Sequence, residues 1–505
     1  MSEHRRLYLI GIDSVPLSII RQLRNERGME AFAKLIKNNQ IADLESTLPP
    51  MSGPAWPSIY TGLKPGEHGV PDFLTLKKDY VKDLVFYNSQ EIEPFWYKLA
   101  RLGHKCLLIT PAMDIKLPKV GNIDMITGFP LPAETNSKEL EKLMKKYHFD
   151  GELDIEKDIE SGKITDEQAA KMYEKSVGAR IGIAKRMMDG RDYDFVFVCF
   201  TETDRLQHYV MNKRNIKDYL LPIYAEFSGF IGYMMEKADK EGSAVVIVSD
   251  HGSQSIHNKF LINTWLVHRG YAKLKESVIK SMRGGKGGDV TLAYKTRESL
   301  LRYKGHLRKL YDRMPYPVKR LAYSVLGNFF SSAGGGKYVR LHMFDFDMAR
   351  TKAFAEVSNI DVATIWINDK RFDKGMVGSR EKERVKANLM RDLRSVRSVE
   401  GDRLLANVID AAPYYKNTNK FIAPDIFADA KPGYSIDLFN FSLDTIFMKP
   451  QHTKNGDHTR YGIFGFYSNV ARVDFKNLSA LDVAPTILDY FGVRGKGSKN
   501  SKLLK

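Results

Sequence analysis

Four short apolar segments constrain the fold more than any other feature of this 505-residue chain. They read RLYLIGI, KCLLIT, DFVFVCF and AVVIVSD, and they do not alternate between apolar and polar residues. Strands that are apolar on both sides are typical of parallel sheets whose two faces are covered by helices. Stretches with helical spacing, such as 167–188 and 219–238, separate these segments. The sequence therefore predicts an α/β fold with an open, mostly parallel central sheet between helices.

Polar residues follow the ends of three of these segments. Asp13 comes directly after LYLIGI, Asp204 follows FVFVCF after three further residues, and Asp250 comes just after AVVIVS. Open α/β sheets bind ligands beyond the carboxyl ends of their strands. One aspartate at a strand end is often only a helix cap, but carboxylates after three strands favour a binding site.

Two Asp/His pairs indicate metal chemistry. Asp204 and His208 are four residues apart, so on a helical turn they share one face and can hold one ion. Asp250 and His251 are adjacent, and both can face the crevice only where the backbone turns sharply. We expect the conformational freedom of Gly252 to permit that turn.

Asp13 and a later histidine, His458 in NGDHTRYGIF, complete a ligand set for two divalent ions. Two metals about 4 Å apart form a clamp for displacement at phosphorus. Ser52 in LPPMSGPAWPS precedes a helix that we expect to begin between residues 54 and 57. The positive end of that helix suits an alkoxide and a phosphate.

The motifs and their order resemble the alkaline phosphatase superfamily, specifically the type I phosphodiesterase/nucleotide pyrophosphatase family and its prokaryotic branch of predicted phosphohydrolases and phosphomutases. The resemblance covers most of the chain. It rests on LYLIGID, LPPMSGPAWPSIYTGLKPGEHGV, FTETDRLQH, VIVSDHG, GDHTRYGIF and LDVAPTILDYFGV. It implies an alkaline-phosphatase-like sandwich of helices around a mostly parallel central sheet, with insertions.

The resemblance also implies a role for each candidate residue. The ligands of one metal, named here the Asp13 group, would be Asp13, Ser52, Asp250 and His251. The ligands of the other, the Asp204 group, would be Asp204, His208 and His458. The implied reaction is in-line attack by Ser52 on phosphorus, followed by hydrolysis of a phosphoserine intermediate. Zinc is the expected metal, with manganese as the alternative.

Two positions depart from the patterns of related proteins. Eukaryotic nucleotide pyrophosphatases have a threonine nucleophile where this chain has Ser52, and an asparagine that holds a phosphate oxygen where it has Ala55. The second change weakens the expectation of nucleotide pyrophosphatase activity, although backbone N–H groups of residues 53–55 could replace the asparagine. Trp56 stands where the sulfatase signature ends in arginine, so we do not expect Ser52 to become formylglycine.

The net charge of +17 is concentrated in two segments. Residues 273–320 contain 14 Lys/Arg against 4 Asp/Glu, and residues 491–505 contain five Lys/Arg and no acid. The rest of the chain is nearly neutral. Leucines and tyrosines are interleaved with the charges of 273–320, a pattern that suits an anionic membrane surface better than nucleic acid.

We expect a catalytic core in two parts, 1–272 and 341–490, a basic glycine-rich helical insertion at 273–340, and a basic tail at 491–505. No apolar run approaches the ~20 residues that cross a membrane, and the apolar stretch near the N-terminus is too short for a signal peptide. We therefore expect a cytoplasmic protein that is peripheral at the membrane if the insertion binds lipid.

The sequence thus predicts a two-metal phosphohydrolase, foremost a phosphodiesterase that acts on a small-molecule or lipid-linked phosphoester. One alternative is a phosphomonoesterase or phosphomutase on the same scaffold. Another is a non-catalytic protein that binds anionic surfaces, which the seven competent ligand positions disfavour.

Overall fold

The computed structural model describes residues 5–283, 339–356, 362–416, 418, 420–450, 454–493 and 500–504. The predicted basic insertion falls mainly on 284–338, which lie outside the described residues, as do 494–499 of the predicted tail. No helix within the described ranges is both long enough and apolar enough to cross a membrane.

A seven-stranded sheet forms the centre of the molecule and confirms the predicted α/β class. All four apolar segments of the sequence are strands of this central sheet. Tyr461–Ser468 runs antiparallel to both of its neighbours, and the other neighbouring strands pair in parallel. From one edge to the other the strands are Ile41–Glu45, Tyr461–Ser468, Ala244–Val248, Leu7–Ile12, Phe195–Phe200, Cys106–Ile109 and Ile123–Ile126.

Alternate residues of the central strands face two separate hydrophobic cores. Tyr8 and Ile10 belong to one core, and Leu7 and Leu9 belong to the other. The first core includes residues from the helices Leu17–Leu23, Glu30–Lys37, Asp166–Gly190 and Ile216–Glu241. The second includes residues from Ser52–Thr61, Phe95–Arg101 and Val483–Tyr490. Burial of both faces explains why these strands read as uninterrupted apolar runs.

A second sheet of four antiparallel strands lies later in the chain and has a hydrophobic core of its own. The apolar stretches ATIWIN and RLLANVI contribute two strands of this second sheet. The helix Lys382–Arg394 packs against it. In spatial order the strands are Ala353–Ala355, Val362–Ile367, Ile426–Ala430 and Leu405–Asp410.

Shorter elements complete the described chain. The further helices are Pro65–His68, Lys138–Lys146, Glu156–Glu160, Glu202–Val210, Ile262–His268 and Glu276–Arg283. Asn258–Leu261 pairs with Tyr434–Asp437 on one side and with Phe447–Met448 on the other, which makes a three-stranded sheet. Four further sheets have two strands each. They are Leu74–Leu76 with Lys82–Leu84, Gly252–Ser255 with Gly456–Thr459, Val339–Arg340 with Asn440–Phe441, and Arg472–Val473 with Leu503–Leu504.

Candidate metal centre

The three middle strands of the central sheet end at one place. Leu7–Ile12 pairs in parallel with Phe195–Phe200 on one side and Ala244–Val248 on the other. Because the strands run in the same direction, the polar residues that follow them meet at the same edge of the sheet. The structure brings all seven predicted ligand positions together at this edge. His458 reaches it through the pairing of Gly456–Thr459 with Gly252–Ser255.

Ser52 is the first residue of the helix Ser52–Thr61, which begins two residues before the expected range of 54–57. Met51 has an extended backbone and caps the helix, so Pro54 falls in the first turn, where its missing N–H leaves no intrahelical bond unmade. The side chain of Ser52 is buried, and its hydroxyl faces the centre of the site.

The Asp13 group is a compact, buried hydrogen-bonded set. Ser52 Oγ lies 3.1 Å from Asp13 Oδ2 and 3.3 Å from His251 Nε2. His251 Nε2 in turn lies 3.4 Å from Asp13 Oδ1 and 3.3 Å from Asp250 Oδ2. The indole N–H of Trp56 donates to Asp13 Oδ2 over 3.0 Å. All four predicted ligands of this group therefore converge on one point.

The Asp204 group forms around the helix Glu202–Val210. Asp204 Oδ2 lies 3.5 Å from His208 Nε2, and Asp204 Oδ1 lies 3.1 Å from His458 Nε2. The Nε2 atoms of His208 and His458 are 3.3 Å apart. Asp204 and His208 lie on one face of this helix, as their spacing of four residues predicted.

The two groups are contiguous through His251. Its ring stacks on that of His458 with centroids 4.0 Å apart. Ligand atoms of Asp13, Asp250 and His251 lie within 4.8 Å of one another, and the same holds for Asp204, His251 and His458. The family resemblance implied that His251 belongs to the Asp13 group alone, whereas the structure places it between the two groups.

Each of the three imidazoles has a backbone carbonyl at its Nδ1 atom. The distances are 3.1 Å from His208 to Gly456 O, from His251 to Gly252 O and from His458 to Pro50 O. A carbonyl only accepts hydrogen bonds, so Nδ1 is the donor and Nε2 carries the lone pair. This arrangement is the one that orients histidines as metal ligands.

These atoms fit a cation. Two Nε2 lone pairs that face each other at 3.3 Å repel unless a positive charge lies between them. Within the described residues, Asp204 Oδ1 and Asp250 Oδ2 are buried without accepting a hydrogen bond. Buried carboxylates without partners are costly, and divalent cations remove that cost.

The electrostatics of the buried groups agree with this fit. Burial raises the pKa of Asp13 well above its usual range, and the nearby carboxylates of Asp250 and Asp204 raise it further. Burial likewise raises the pKa of Asp250 to about 7. Burial lowers the pKa of His251 well below its usual value, which keeps the imidazole neutral as a ligand must be. The Asp13 group thus disfavours its own negative charge, which a divalent cation would offset. Asp204 differs, because burial is outweighed by the adjacent His208 and His458, which lower the pKa of its carboxyl well below the usual range.

Gly252 does not serve the purpose expected from the sequence. Its φ lies outside the left-handed region, so the expected role of its conformational freedom is wrong. A Cβ at this position would instead lie 2.3 Å from the carbonyl oxygen of Tyr461, so the strand pairing leaves no room for a side chain. A left-handed residue is found instead after the neighbouring strand Leu7–Ile12, at Ser14, whose φ is 64°.

A cavity of about 830 Å³ opens beside the metal centre and reaches Ser52. The rings of Phe73 and Phe129 line it and pack edge to face, with centroids 5.9 Å apart. Phe129 belongs to the GFPLP stretch, which continues along the cavity through Pro130, Leu131 and Pro132. The cavity therefore has room for an organic group attached to the phosphorus.

Acidic residues on one side of this cavity are bound by side chains from one face of the helix Glu202–Val210. Residues spaced by four on the helix meet glutamates spaced by four on the segment 152–160. The contacts are those of Thr201 with Glu152, Arg205 with Glu152 at 2.9 Å and Glu156 at 2.5 Å, and Tyr209 with Glu160 at 3.3 Å. The charge of Arg205 is thus balanced by the protein itself.

Three residues that position the site were not identified from the sequence. Trp56, one helical turn after Ser52, donates to Asp13. Arg180 and Glu202 form a fully buried ion pair with Nη2 and Oε1 3.0 Å apart, at the first residue of the ligand-bearing helix. The spacing of Trp56 from Ser52 would have indicated its position if the helix start had been known, but the partner of Arg180 is visible only in three dimensions.

Comparisons with known proteins concern the family and the fold of the chain. The family described as type I phosphodiesterase / nucleotide pyrophosphatase matches residues 7–458. A search of curated proteins finds no match. The phosphonoacetate hydrolase of Sinorhizobium meliloti 1021, solved with phosphonoacetate, is 11% identical with a TM-score of 0.55, covering 99% of this chain and 97% of that chain. Human ectonucleotide pyrophosphatase / phosphodiesterase 5 is 12% identical with a TM-score of 0.45, covering 97% and 96%. The first likeness shows an alkaline-phosphatase-like fold.

Proposed function

The chain belongs to the type I phosphodiesterase / nucleotide pyrophosphatase family and is a phosphoester hydrolase, and we propose that it is a two-metal phosphodiesterase with Ser52 as nucleophile. One observation carries the proposal. The hydroxyl of Ser52 lies at a helix N-terminus, 3.1 Å from Asp13 and 3.3 Å from His251, and it borders the cavity.

The Asp13 group and the Asp204 group are the residues that would hold the two metals. Divalent cations there, zinc or manganese, would supply Lewis-acid stabilisation of the phosphoryl oxygens and favour the alkoxide of Ser52. Asp13 and His251 orient the Ser52 hydroxyl toward the cavity. Attack by Ser52 Oγ forms a bond to phosphorus as the bond to the leaving alcohol breaks, and water later releases the phosphoryl group from the serine.

A backbone donor supports the phosphate oxygen in place of the missing asparagine. Pro54 has no N–H, and the N–H of Ala55 donates to Met51 O over 2.9 Å. Of the three residues expected to contribute, Gly53 is therefore the one we assign to the phosphate. Its N–H lies in the first turn of the helix, where it has no intrahelical acceptor.

The charge of the cavity supports a diester substrate over a monoester. A monoester brings two negative charges near neutral pH, and a diester brings one. Of the three Lys and Arg side chains among the described residues of the lining, Arg205 pairs with two glutamates and Lys454 lies 3.3 Å from Glu160. The lining thus offers little positive charge beyond the metals, and its volume accepts a second ester group.

Kinetics with two synthetic substrates test the proposal. Purified protein loaded with Zn²⁺ or Mn²⁺ is assayed with bis-p-nitrophenyl phosphate and with p-nitrophenyl phosphate. We expect a higher kcat/KM for the diester. A higher value for the monoester would favour the phosphomonoesterase or phosphomutase alternative. Absence of bound metal, together with no turnover after metal addition, would contradict both enzymatic assignments and leave the non-catalytic alternative.

A further inference from the structure

The helix Glu202–Val210 contacts both metal groups through neighbouring residues. Asp204 and His208 belong to the Asp204 group, and Thr203 and Gln207 come one position before each of them. Thr203 Oγ1 donates to the carbonyl of Asp13 over 2.6 Å, and Gln207 Nε2 donates to the carbonyl of Ser14 over 2.8 Å. One helical turn therefore carries two residues of the Asp204 group. The same turn donates hydrogen bonds to the end of the strand that carries Asp13 of the other group.

Ser14 extends this connection to Asp250. Its backbone has a left-handed φ of 64°, and its N–H donates to Asp250 Oδ1 over 3.2 Å. At the other end of this set of hydrogen bonds is Tyr224, whose hydroxyl donates to Gln207 Oε1 over 3.3 Å. A continuous set of hydrogen bonds thus runs from Tyr224 through Gln207 and Ser14 to a ligand of the Asp13 group.

This connection is fully internal. Gln207 and Ser14 are each 1% exposed, and Thr203 and Tyr224 are 0% exposed. Water therefore cannot replace a lost partner without opening the core, and a buried amide that satisfies both its donor and its acceptor is rigid. Rigid residues behind the ligands set how closely two ligand groups approach each other.

We propose that Gln207 is a positioning residue that couples the two metal groups, so that a metal in one raises the affinity of the other. The inference rests on the proposed function, because coupling requires two bound metals. Without the Gln207 amide, the carbonyl of Ser14 loses its donor, and the bond from Thr203 to Asp13 alone of the two ties this strand end to the helix that carries Asp204. Each group then binds its metal with less support from the other.

Isothermal titration of metal-free protein with Zn²⁺ tests the coupling. Gln207→Met keeps the length of the side chain and removes both hydrogen bonds. We expect two bound ions in both proteins, with the weaker binding event at least about tenfold weaker in Gln207→Met, in line with lost support behind a metal ligand. We also expect kcat for the diester to fall more than KM changes, because the ions are displaced rather than the cavity.

A matched control distinguishes a specific loss of zinc affinity in Gln207→Met from a general loss of stability. Ser228 lies on the same long helix as Tyr224, is buried, and accepts a hydrogen bond from the N–H of Ala31 over 3.1 Å, away from the metal groups. Ser228→Ala should leave both zinc affinities unchanged. If Gln207→Met does not fold, Tyr224→Phe, which removes the hydroxyl that donates to Gln207 Oε1 and so frees the amide, serves in its place.

The outcomes are distinct. Two ions bound by Gln207→Met, or by its substitute, with wild-type affinities would overturn the coupling and leave the proposed function standing. A loss of zinc affinity of the same size in Ser228→Ala would also overturn it, because the effect would then be one of stability. Wild-type protein that binds no zinc would overturn the proposed function and the coupling together.

Discussion

Replacing Arg180 by methionine tests how the ligand-bearing helix is anchored. Arg180 is fully buried, its Nη2 lies 3.0 Å from Glu202 Oε1, and its Nη1 donates to Cys199 O over 2.7 Å. Glu202 is the first residue of the helix that carries Asp204. The substitution leaves a buried carboxylate without its counter-charge, which costs about 3–5 kcal/mol of folding free energy.

The contacts of Glu202 narrow the expected loss of folding free energy. Glu202 keeps two hydrogen bonds in the variant, from Ser176 Oγ at 2.7 Å and from the N–H of Thr201 at 3.1 Å. These bonds place the expected loss near the lower end, about 3 kcal/mol. An exposed arginine provides the matched control, since Arg191 pairs with Asp124 at 3.0 Å with more than half of its side chain in solvent. Arg191→Met should cost less than about 1 kcal/mol.

Urea unfolding followed by circular dichroism measures these changes. The double variant Arg180→Met/Glu202→Gln removes the orphaned charge and should recover at least half of the loss. A free energy of unfolding for Arg180→Met within about 0.5 kcal/mol of the wild-type value would exclude the orphaned charge as a large cost. A double variant no more stable than the single one would refute the same explanation, because burial of a lone charge would then not be the cause.

Three further variants test other parts of the account. Trp56→Phe removes the indole donor to Asp13, so zinc affinity measured against a competing chelator should fall about 10- to 100-fold; an unchanged affinity would exclude this role. Ser52→Ala should lower kcat for the diester at least about a thousandfold while circular dichroism stays unchanged. Burial raises the pKa of Asp114 to about 7 from an ordinary 3.8, so its contribution to stability is complete below that ordinary value and is lost as pH rises through about 7. Asp114→Asn should therefore be more stable than wild type at pH 8, by at most about 4 kcal/mol, and equally stable near pH 4 in urea unfolding; equal stability at both values would contradict the burial argument.

Much of the fold was predictable from the sequence because the central strands are buried on both faces. Leu7–Ile12 shows the reason, since its alternate residues enter two different cores and none of its positions can be polar. Tyr461–Ser468 was not predicted as a strand of this sheet. It runs antiparallel between Ile41–Glu45 and Ala244–Val248, far from either in the chain, and local sequence carries no signal of such pairing.

The candidate ligands were predictable because their chemistry is local. Asp204 and His208 lie on one helical turn, and Asp250 and His251 follow a strand with only Ser249 between. The supporting contacts were not predictable. Gln207 meets Ser14 across 193 positions of the chain, and neither residue type distinguishes this partner from water or another carbonyl. Gly252 shows the same limit of prediction from local sequence. A side chain is excluded there by the carbonyl of a residue distant in the chain, and not by the backbone angles of Gly252 itself.

The identity of the nucleophile is the centre of the account, and trapping the covalent intermediate tests it directly. Metal-loaded protein is quenched with acid during turnover of bis-p-nitrophenyl phosphate, and its peptides are analysed by mass spectrometry. We predict a p-nitrophenyl phosphate ester on Ser52 in the wild type and none in Ser52→Ala or in metal-free protein. Turnover with Ser52 unmodified at every quench time, and with a Ser52→Ala rate close to that of the wild type, would contradict the assignment of Ser52 as nucleophile.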